Sequence, residues 1–142
     1  MQLVHIYLNF PGTTAEAFRF YETVFGTKTI TKMTFGEVPW MPNVPESAKQ
    51  KIMHAQLPIT DSVHLMASDF VDGLSPGAFV RGNDFNISVV ASDKAEADRV
   101  FEQLGAGGEV RMPIGNAPWG AYFGMVTDRF GIQWMVSLPR SV

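Results

Sequence analysis

The side chains best suited to chemistry in this chain are its three histidines, His5, His54 and His64. An imidazole has an unperturbed pKa near neutral pH, so each histidine can serve as a general base or as a metal ligand. The chain has no cysteine, which excludes disulfides, thiolate metal sites and a cysteine nucleophile. The three histidines are therefore the candidate catalytic residues.

Strand periodicity places two of these histidines beside other candidate site residues. Alternate residues of a strand share a face, so His54 lies with Gln56 and His64 lies with Met66. From such a face His54 could act as a general base, although no carboxylate at a fixed spacing orients it. A hydrogen-bonded structural histidine is the alternative for His54, and a polar residue near a strand end is the alternative for His64.

The predicted secondary structure around these residues contains an internal repeat. Residues 15–22 and 95–102 share five of eight identities at an offset of 80. The spacing of apolar residues predicts helices over about 14–25 and 94–104. The expected apolar faces are Ala17, Phe20, Tyr21, Val24 and Phe25 in the first helix, and Ala97, Val100, Phe101 and Leu104 in the second.

Capping signals flank both predicted helices. Thr13 or Thr14 and Asp93 precede them, and the expected capping boxes and left-handed stops use Glu16, Glu96, Gly26 and Gly105. Strands are expected at 3–10, 28–35, 51–57 and 62–67, and again at 85–90, 109–112, 121–126 and 132–138, with turns at 60–61 and 128–131. Residues 36–50 are predicted to form a long excursion.

These elements predict an α+β fold of two βαβββ modules, residues 1–71 and 84–142, joined by a linker at 72–83 within a single domain. Each module is expected to carry a four-stranded sheet, and such a sheet cannot bury its exposed face alone. We therefore expect curved mixed or antiparallel sheets, with helices on one side, around a shared cup.

Several motifs give this chain a family resemblance. The most specific stretch combines Gly107-Gly108, Met112-Pro113, Trp119-Gly120, Phe123-Gly124, Asp128, Phe130-Gly131 and Trp134, and the first half adds Tyr7 to Phe10, Phe20-Tyr21, Phe25-Gly26, residues 53–57 and Ser68-Asp69. Over essentially its whole length, the chain resembles the PhnB-like branch of the glyoxalase/bleomycin-resistance/extradiol dioxygenase (vicinal oxygen chelate) superfamily. This resemblance implies paired βαβββ modules and a homodimer. The branch also carries a methyltransferase label, but residues 105–108 are interpreted as a helix stop and turn, and no methyl-donor loop is visible.

The resemblance also implies where metal ligands would lie in the cup. The four positions fall on His5, Asn86, Met66 and Met135, whereas metal-using relatives place histidine or glutamine and carboxylates there. Neutral thioethers do not suit Zn, Mg, Mn or Fe(II), so we expect no metal and no other cofactor, with both methionines flooring an apolar pocket. A non-standard site would need His64 to join His5 and Asn86, together with Gln133, which lies two residues before Met135.

Three tryptophans have separate interpretations. Trp134 and Met135 are adjacent in a strand, so their side chains point to opposite faces of the sheet. This predicts that Trp134 packs in the core against a helix. Trp119 could line the cup or a dimer contact, and Trp40 could cover the mouth of the cup. The predicted ligand-binding set is Tyr7, Gln56, Met66, Asn86, Trp119, Gln133 and Met135.

Composition excludes several other functions. The formal net charge is -3, and the 11 Lys and Arg residues form no run, so nucleic-acid binding is not expected. No stretch approaches 18 apolar residues and the start lacks the pattern of a signal peptide, so we expect a cytoplasmic protein with no membrane partner. The sequence thus favours a metal-free homodimer that binds a small apolar or planar ligand. The alternative is a metal-assisted lyase or isomerase that uses His5, His54 or His64.

Overall fold

The computed structural model describes residues 1–139, which form two compact units. The first unit runs from Met1 to Val80 and the second begins at Arg81. Each unit contains one helix and one four-stranded mixed sheet in the order βαβββ. The predicted α+β class with two βαβββ modules is confirmed.

The first unit holds five helices and strands. They are β1 (Ile6–Phe10), α1 (Thr14–Phe25), β2 (Thr31–Thr34), β3 (Ile52–Pro58) and β4 (His64–Asp69). The strand order in the sheet is β1-β4-β3-β2, with β1 parallel to β4 and the other pairs antiparallel. Short 3-10 turns, Phe35–Glu37 and Glu46–Ala48, lie in the excursion between β2 and β3.

The second unit repeats this arrangement. Its elements are β5 (Ile87–Val90), α2 (Lys94–Gly105), β6 (Glu109–Asn116), β7 (Tyr122–Thr127) and β8 (Gln133–Leu138). The strand order is β5-β8-β7-β6, with β5 parallel to β8. No helix or strand lies between Asp69 and Ile87, the region that contains the predicted linker.

Several strand boundaries differ from the prediction: β2 begins at Thr31 rather than at residue 28, and β6 continues to Asn116 rather than ending at residue 112. β1 begins at Ile6 rather than at residue 3, and Leu3 and Val4 are exposed. The cause is the neighbouring strand: Ile6 pairs with Leu65, and β4 itself begins at His64. Residues before Ile6 therefore have almost no partner strand, although their composition is strand-like.

One face of each sheet is covered by its helix. α1 packs on β3 and β4, and α2 packs on β6, β7 and β8. The buried face of α1 is Thr14, Ala17, Phe18, Tyr21 and Val24, so the prediction was wrong in choosing Phe20 and Phe25 over Phe18. The buried face of α2 is the predicted one. Trp134 is fully buried in this second core, as its strand parity predicted.

The two helices begin with different caps. At α2, the Asp93 carboxylate accepts from the Glu96 backbone N–H at 2.8 Å, and Glu96 accepts in return from the Ser92 N–H. At α1, the predicted capping box is absent because Thr13 makes no side-chain cap bond. Asp69, at the end of β4, instead accepts from the Thr14 N–H at 2.9 Å.

The helices also end differently. Gly26 ends α1 in the left-handed conformation, with φ of 67°, as predicted. Gly105 was expected to do the same for α2 but belongs to the helix, and the left-handed residue is Gly107. Gly108 then allows the close approach of the β7–β8 turn, since a Cβ there would collide with the Thr127 carbonyl oxygen.

No helix within residues 1–139 is long and apolar enough to cross a membrane.

Candidate functional site

The face of each sheet opposite its helix carries the candidate site residues. In the first sheet, Met66 on β4 pairs with Tyr7 on β1 and with Gln56 on β3. In the second sheet, Met135 on β8 pairs with Ser88 on β5 and with Met125 on β7. Met66 and Met135 therefore occupy equivalent positions in their central strands. We call these surfaces the first face, which carries His5, Tyr7, His54, Gln56, His64 and Met66, and the second face, which carries Asn86, Ser88, Met112, Phe123, Met125, Gln133 and Met135.

His5 and His64 form a stacked pair at one end of the first face. Their ring centroids are 4.7 Å apart and the rings are inclined by 21°. The His64 backbone N–H donates to Nδ1 of His5 at 3.1 Å, and the Gln56 amide donates to Nδ1 of His64 at 2.7 Å. Because Nδ1 of His5 accepts a backbone bond, a neutral His5 ring carries its proton on Nε2, which leaves this ring one N–H donor.

Tyr7 and His54 form a second pair on the same face. The Tyr7 hydroxyl and Nδ1 of His54 are hydrogen-bonded at 3.2 Å, and the ring centroids lie 5.7 Å apart. This partner of His54, a tyrosine 47 residues away, was not predicted from the sequence. All three histidines of the chain thus lie on one face, and a phenol and an amide, rather than carboxylates, hold two of them.

The second face carries apolar side chains at two positions where the first carries polar ones, since Phe123 and Met125 correspond to His54 and Gln56. Met112, Met125 and Met135 lie in one row across β6, β7 and β8, with Ser88 at the end of the row on β5. Phe123 contacts Trp119 edge-to-face, with centroids 5.4 Å apart. Trp119 is 59% exposed, and Trp40, in the excursion of the first unit, is 70% exposed. Sequence reasoning missed Met112 and Met125 because it followed only two strands of this sheet.

Two polar side chains of the second face are already bonded within their own unit. Asn86 accepts through Oδ1 from the guanidinium of Arg111 at 2.6 Å. Gln133 donates through Nε2 to the Phe85 carbonyl oxygen at 2.6 Å. Arg111 was absent from the predicted site residues, because a single exposed arginine beside a strand irregularity carries no sequence signal.

The donor set does not fit a divalent metal. His5 and Asn86, and Met66 and Met135, are register equivalents, so the four positions implied by the resemblance match in the two units. Nδ1 of His5 accepts a backbone bond, Asn86 binds a cationic guanidinium, and the other two donors are thioethers. None of the four is an anion, and a guanidinium beside one of them opposes a dication. Among the described residues, no three His, Cys, Asp or Glu side chains cluster in a way that could hold a metal ion.

Two clefts lie away from these faces. One, of about 110 Å³, lies between α1 and the first sheet and is lined by Phe18, Arg19, Glu22, Lys32 and others. The other, of about 360 Å³, lies in the excursion and is lined by Phe35, Val38, Met41 and Lys49 among others. Neither cleft is lined by a residue of the predicted site.

The fold and these faces define a class: paired βαβββ units whose exposed sheet faces carry the site residues. The chain belongs to the Glyoxalase/Bleomycin resistance protein/Dioxygenase superfamily, whose family model matches residues 2–136. The superfamily predicted from the sequence is therefore confirmed.

Individual relatives refine this assignment. The chain is similar to protein PA1353 from Pseudomonas aeruginosa, with 38% identity, a TM-score of 0.83, and coverage of 99% of this chain and 100% of that one. It is 28% identical over 139 residues to Protein YjdN of Escherichia coli (strain K12), covering 94% of this chain and 93% of the relative. The PhnB protein from Bacillus cereus shares the fold, with a TM-score of 0.76, 24% identity, and coverage of 96% and 98%.

Proposed function

We propose that this protein is a metal-free homodimer that binds a small, mostly apolar or planar molecule in the cup expected from the family resemblance. The observation that carries the proposal is the composition of the two faces. The first face presents imidazole, phenol and amide groups held by hydrogen bonds, and the second presents a row of three methionines. Small-molecule sites typically combine a few fixed polar groups with polarisable apolar side chains, and the chain supplies both kinds on its two faces.

Binding can be tested with a neutral planar dye, N-phenyl-1-naphthylamine, whose fluorescence rises in apolar surroundings. We expect saturable binding with about one dye per chain. Met135→Glu should weaken binding at least about tenfold, because a carboxylate on the apolar floor must be desolvated by the dye. Ala95→Glu is the matched control, since Ala95 is exposed on α2, at the opposite side of the same sheet. Dye binding that is non-saturable, or equally sensitive to both substitutions, would contradict the proposal.

The metal-free part of the proposal has its own test. After dialysis, elemental analysis of the purified protein should show no stoichiometric divalent ion. The double variant Met66→Glu, Met135→Glu supplies the missing anionic ligands and should gain metal if the geometry of the family's site is retained. Near-stoichiometric zinc, nickel or manganese in the wild-type protein, lost in His5→Ala, would overturn this part.

The homodimer is supported by the family resemblance and by the large exposed apolar side chains, which include Trp40, Trp119, Val110 and Met112. Sedimentation at micromolar concentration should show a dimer. A monomer at that concentration would refute the assembly.

A metal-assisted lyase or isomerase is the second candidate. Its support is the gathering of all three histidines, His5, His54 and His64, on the first face. It ranks second because it requires a recruited divalent ion, which the donor set does not fit. The elemental analysis above separates it from the binding function.

A further inference from the structure

Arg111 lies across the second face. It sits on β6 at an irregularity in the register between Val110 and Met112. Its guanidinium donates to Oδ1 of Asn86 at 2.6 Å and, more weakly, to the Val126 carbonyl oxygen at 3.5 Å. Asn86 directly precedes β5, and β5 and β6 are the two opposite edges of the sheet. The Arg111 side chain therefore extends over β7 and β8 on the side that α2 does not cover.

The partners of Arg111 leave its charge in place. Both acceptors, an amide oxygen and a peptide oxygen, are neutral, and no carboxylate within residues 1–139 is bonded to it. A guanidinium carries five N–H donors, and both bonds here come from Nη2. These two bonds do not use the donors on Nη1 and Nε, while Asn86 holds the guanidinium in place.

The surroundings of this cation are apolar on the same face. Met112 follows Arg111 directly on β6, and Met125 and Met135 continue that row across the sheet. A fixed, un-neutralised guanidinium beside an apolar floor favours oxyanions, since its positive charge strengthens the N–H bonds that Nη1 or Nε can donate to a carboxylate, phosphonate or sulfonate.

We propose that Arg111 is the anion-recognising residue of the binding site, and that the natural ligand joins a planar or apolar body to a carboxylate or related oxyanion. This inference rests on the proposed binding function and adds the chemical class of the ligand. It assigns Asn86 the role of a positioning residue, which holds the guanidinium without carrying charge itself.

The test compares two dyes with the same anilinonaphthalene body. One is 8-anilinonaphthalene-1-sulfonate, which is anionic, and the other is the neutral N-phenyl-1-naphthylamine. Arg111→Gln should weaken the sulfonate dye about tenfold, the size expected for loss of a charge-assisted pair, and should leave the neutral dye within about twofold. Arg111→Lys should retain part of the sulfonate affinity, because it keeps the charge and loses the planar guanidinium that Asn86 holds in place.

Arg99→Gln is the matched charge control. Arg99 is exposed on α2, so this change removes one positive charge from the same unit on the opposite side of the sheet. It should leave the affinities for both dyes within about twofold. The sulfonate affinity of the wild-type protein should also fall with added salt, and that of Arg111→Gln should change less.

The possible failures are distinguishable. If both dyes bind saturably and Arg111→Gln weakens them equally or not at all, the anion role is overturned while the binding function stands. If Arg99→Gln weakens the sulfonate dye as much as Arg111→Gln does, a general charge effect replaces the specific site. If the neutral dye does not bind the wild-type protein saturably, the binding function fails, and this inference fails with it.

Discussion

The first and second faces occupy the same positions of the same supersecondary unit but differ in chemistry. By register, Tyr7, His54 and Gln56 in the first unit correspond to Ser88, Phe123 and Met125 in the second. His64 corresponds to Gln133, and only the central methionines, Met66 and Met135, are the same residue type. The repeat therefore conserves the scaffold, while the side chains that point away from the helix are free to differ, because the hydrophobic core does not constrain them.

The two units also satisfy the same backbone requirements with different residues. In the first unit the buried Asp69 accepts from the N–H groups of Thr14 and Ile52, and so ties α1 and β3 to the end of β4. In the second unit Asp93 caps α2 locally. The buried carboxylate there, Asp128, instead holds the β7–β8 turn. Each unit therefore buries one acidic residue, and the carboxylate of that residue accepts hydrogen bonds from backbone N–H groups.

The largest effect is expected at Asp128. Its carboxylate accepts from the N–H groups of Phe130 and Ile132, at 2.8 and 3.1 Å, and from Nε1 of the buried Trp134 at 2.8 Å. Asp128→Ala should lower the free energy of unfolding by about 4 kcal/mol, because several buried donors lose their acceptor together. Urea titration measures the loss, and Asp128→Asn, which keeps one carbonyl oxygen, should lose less. A loss below about 1 kcal/mol for Asp128→Ala would contradict this account.

A smaller loss is expected at Asp69, which accepts from two backbone donors rather than three groups. Asp69→Ala should lower the free energy of unfolding by about 3 kcal/mol. Hydrogen exchange should show the loss of protection at the Thr14 and Ile52 amides. Unchanged protection at both amides would show that Asp69 does not anchor α1.

The local caps sharpen the contrast between the units. Asp93→Ala should cost about 1 kcal/mol, the usual cost of losing an N-cap side chain. Thr13→Ala at the equivalent position of α1 should cost less than about 0.3 kcal/mol, because Thr13 makes no cap bond there. If urea titration shows equal losses in the free energy of unfolding for Asp93→Ala and Thr13→Ala, α1 and α2 do not differ in how they are capped.

The smallest effect is expected within the repeated octet, at Glu22. The Thr29 backbone N–H donates to its carboxylate at 2.8 Å, and this bond lowers the pKa of Glu22 below its ordinary value. A lowered folded-state pKa gives stability that is present above the unfolded pKa of about 4.3 and is lost as the pH falls through the folded pKa. Glu22→Gln should therefore cost less than about 1 kcal/mol at neutral pH, since solvent screens the group, and less still in acid.

Glu102 provides the matched control for this prediction. It is the octet equivalent of Glu22 and is exposed on α2. Glu102→Gln should leave the free energy of unfolding unchanged within about 0.3 kcal/mol. An identical pH dependence for both variants would show that the bond to Thr29 is not its source.

Much of the local structure of this protein could be predicted from its sequence alone. The bounds of α1, the buried face of α2 and the inward orientation of Trp134 were all predicted, because helix and strand periodicity is set by neighbouring residues. The superfamily was predicted from short sequence motifs, which are also local features of the chain. The misassigned face of α1 shows the limit: Phe18 and Phe20 are equally apolar, and only the position of the sheet decides which is buried.

Contacts between side chains that are distant in the sequence depend on the tertiary structure. Asp69 reaches Thr14 across 55 residues, His54 meets Tyr7 across 47, and Arg111 meets Asn86 across 25. Each pair is brought together by strand order and register, and a shift of one residue would turn every side chain of a strand to the other face. The sequence determines which side chains of one strand share a face, but not which residues of the neighbouring strand they meet. The arrangement of polar groups on the two faces therefore depends on the assembled sheets.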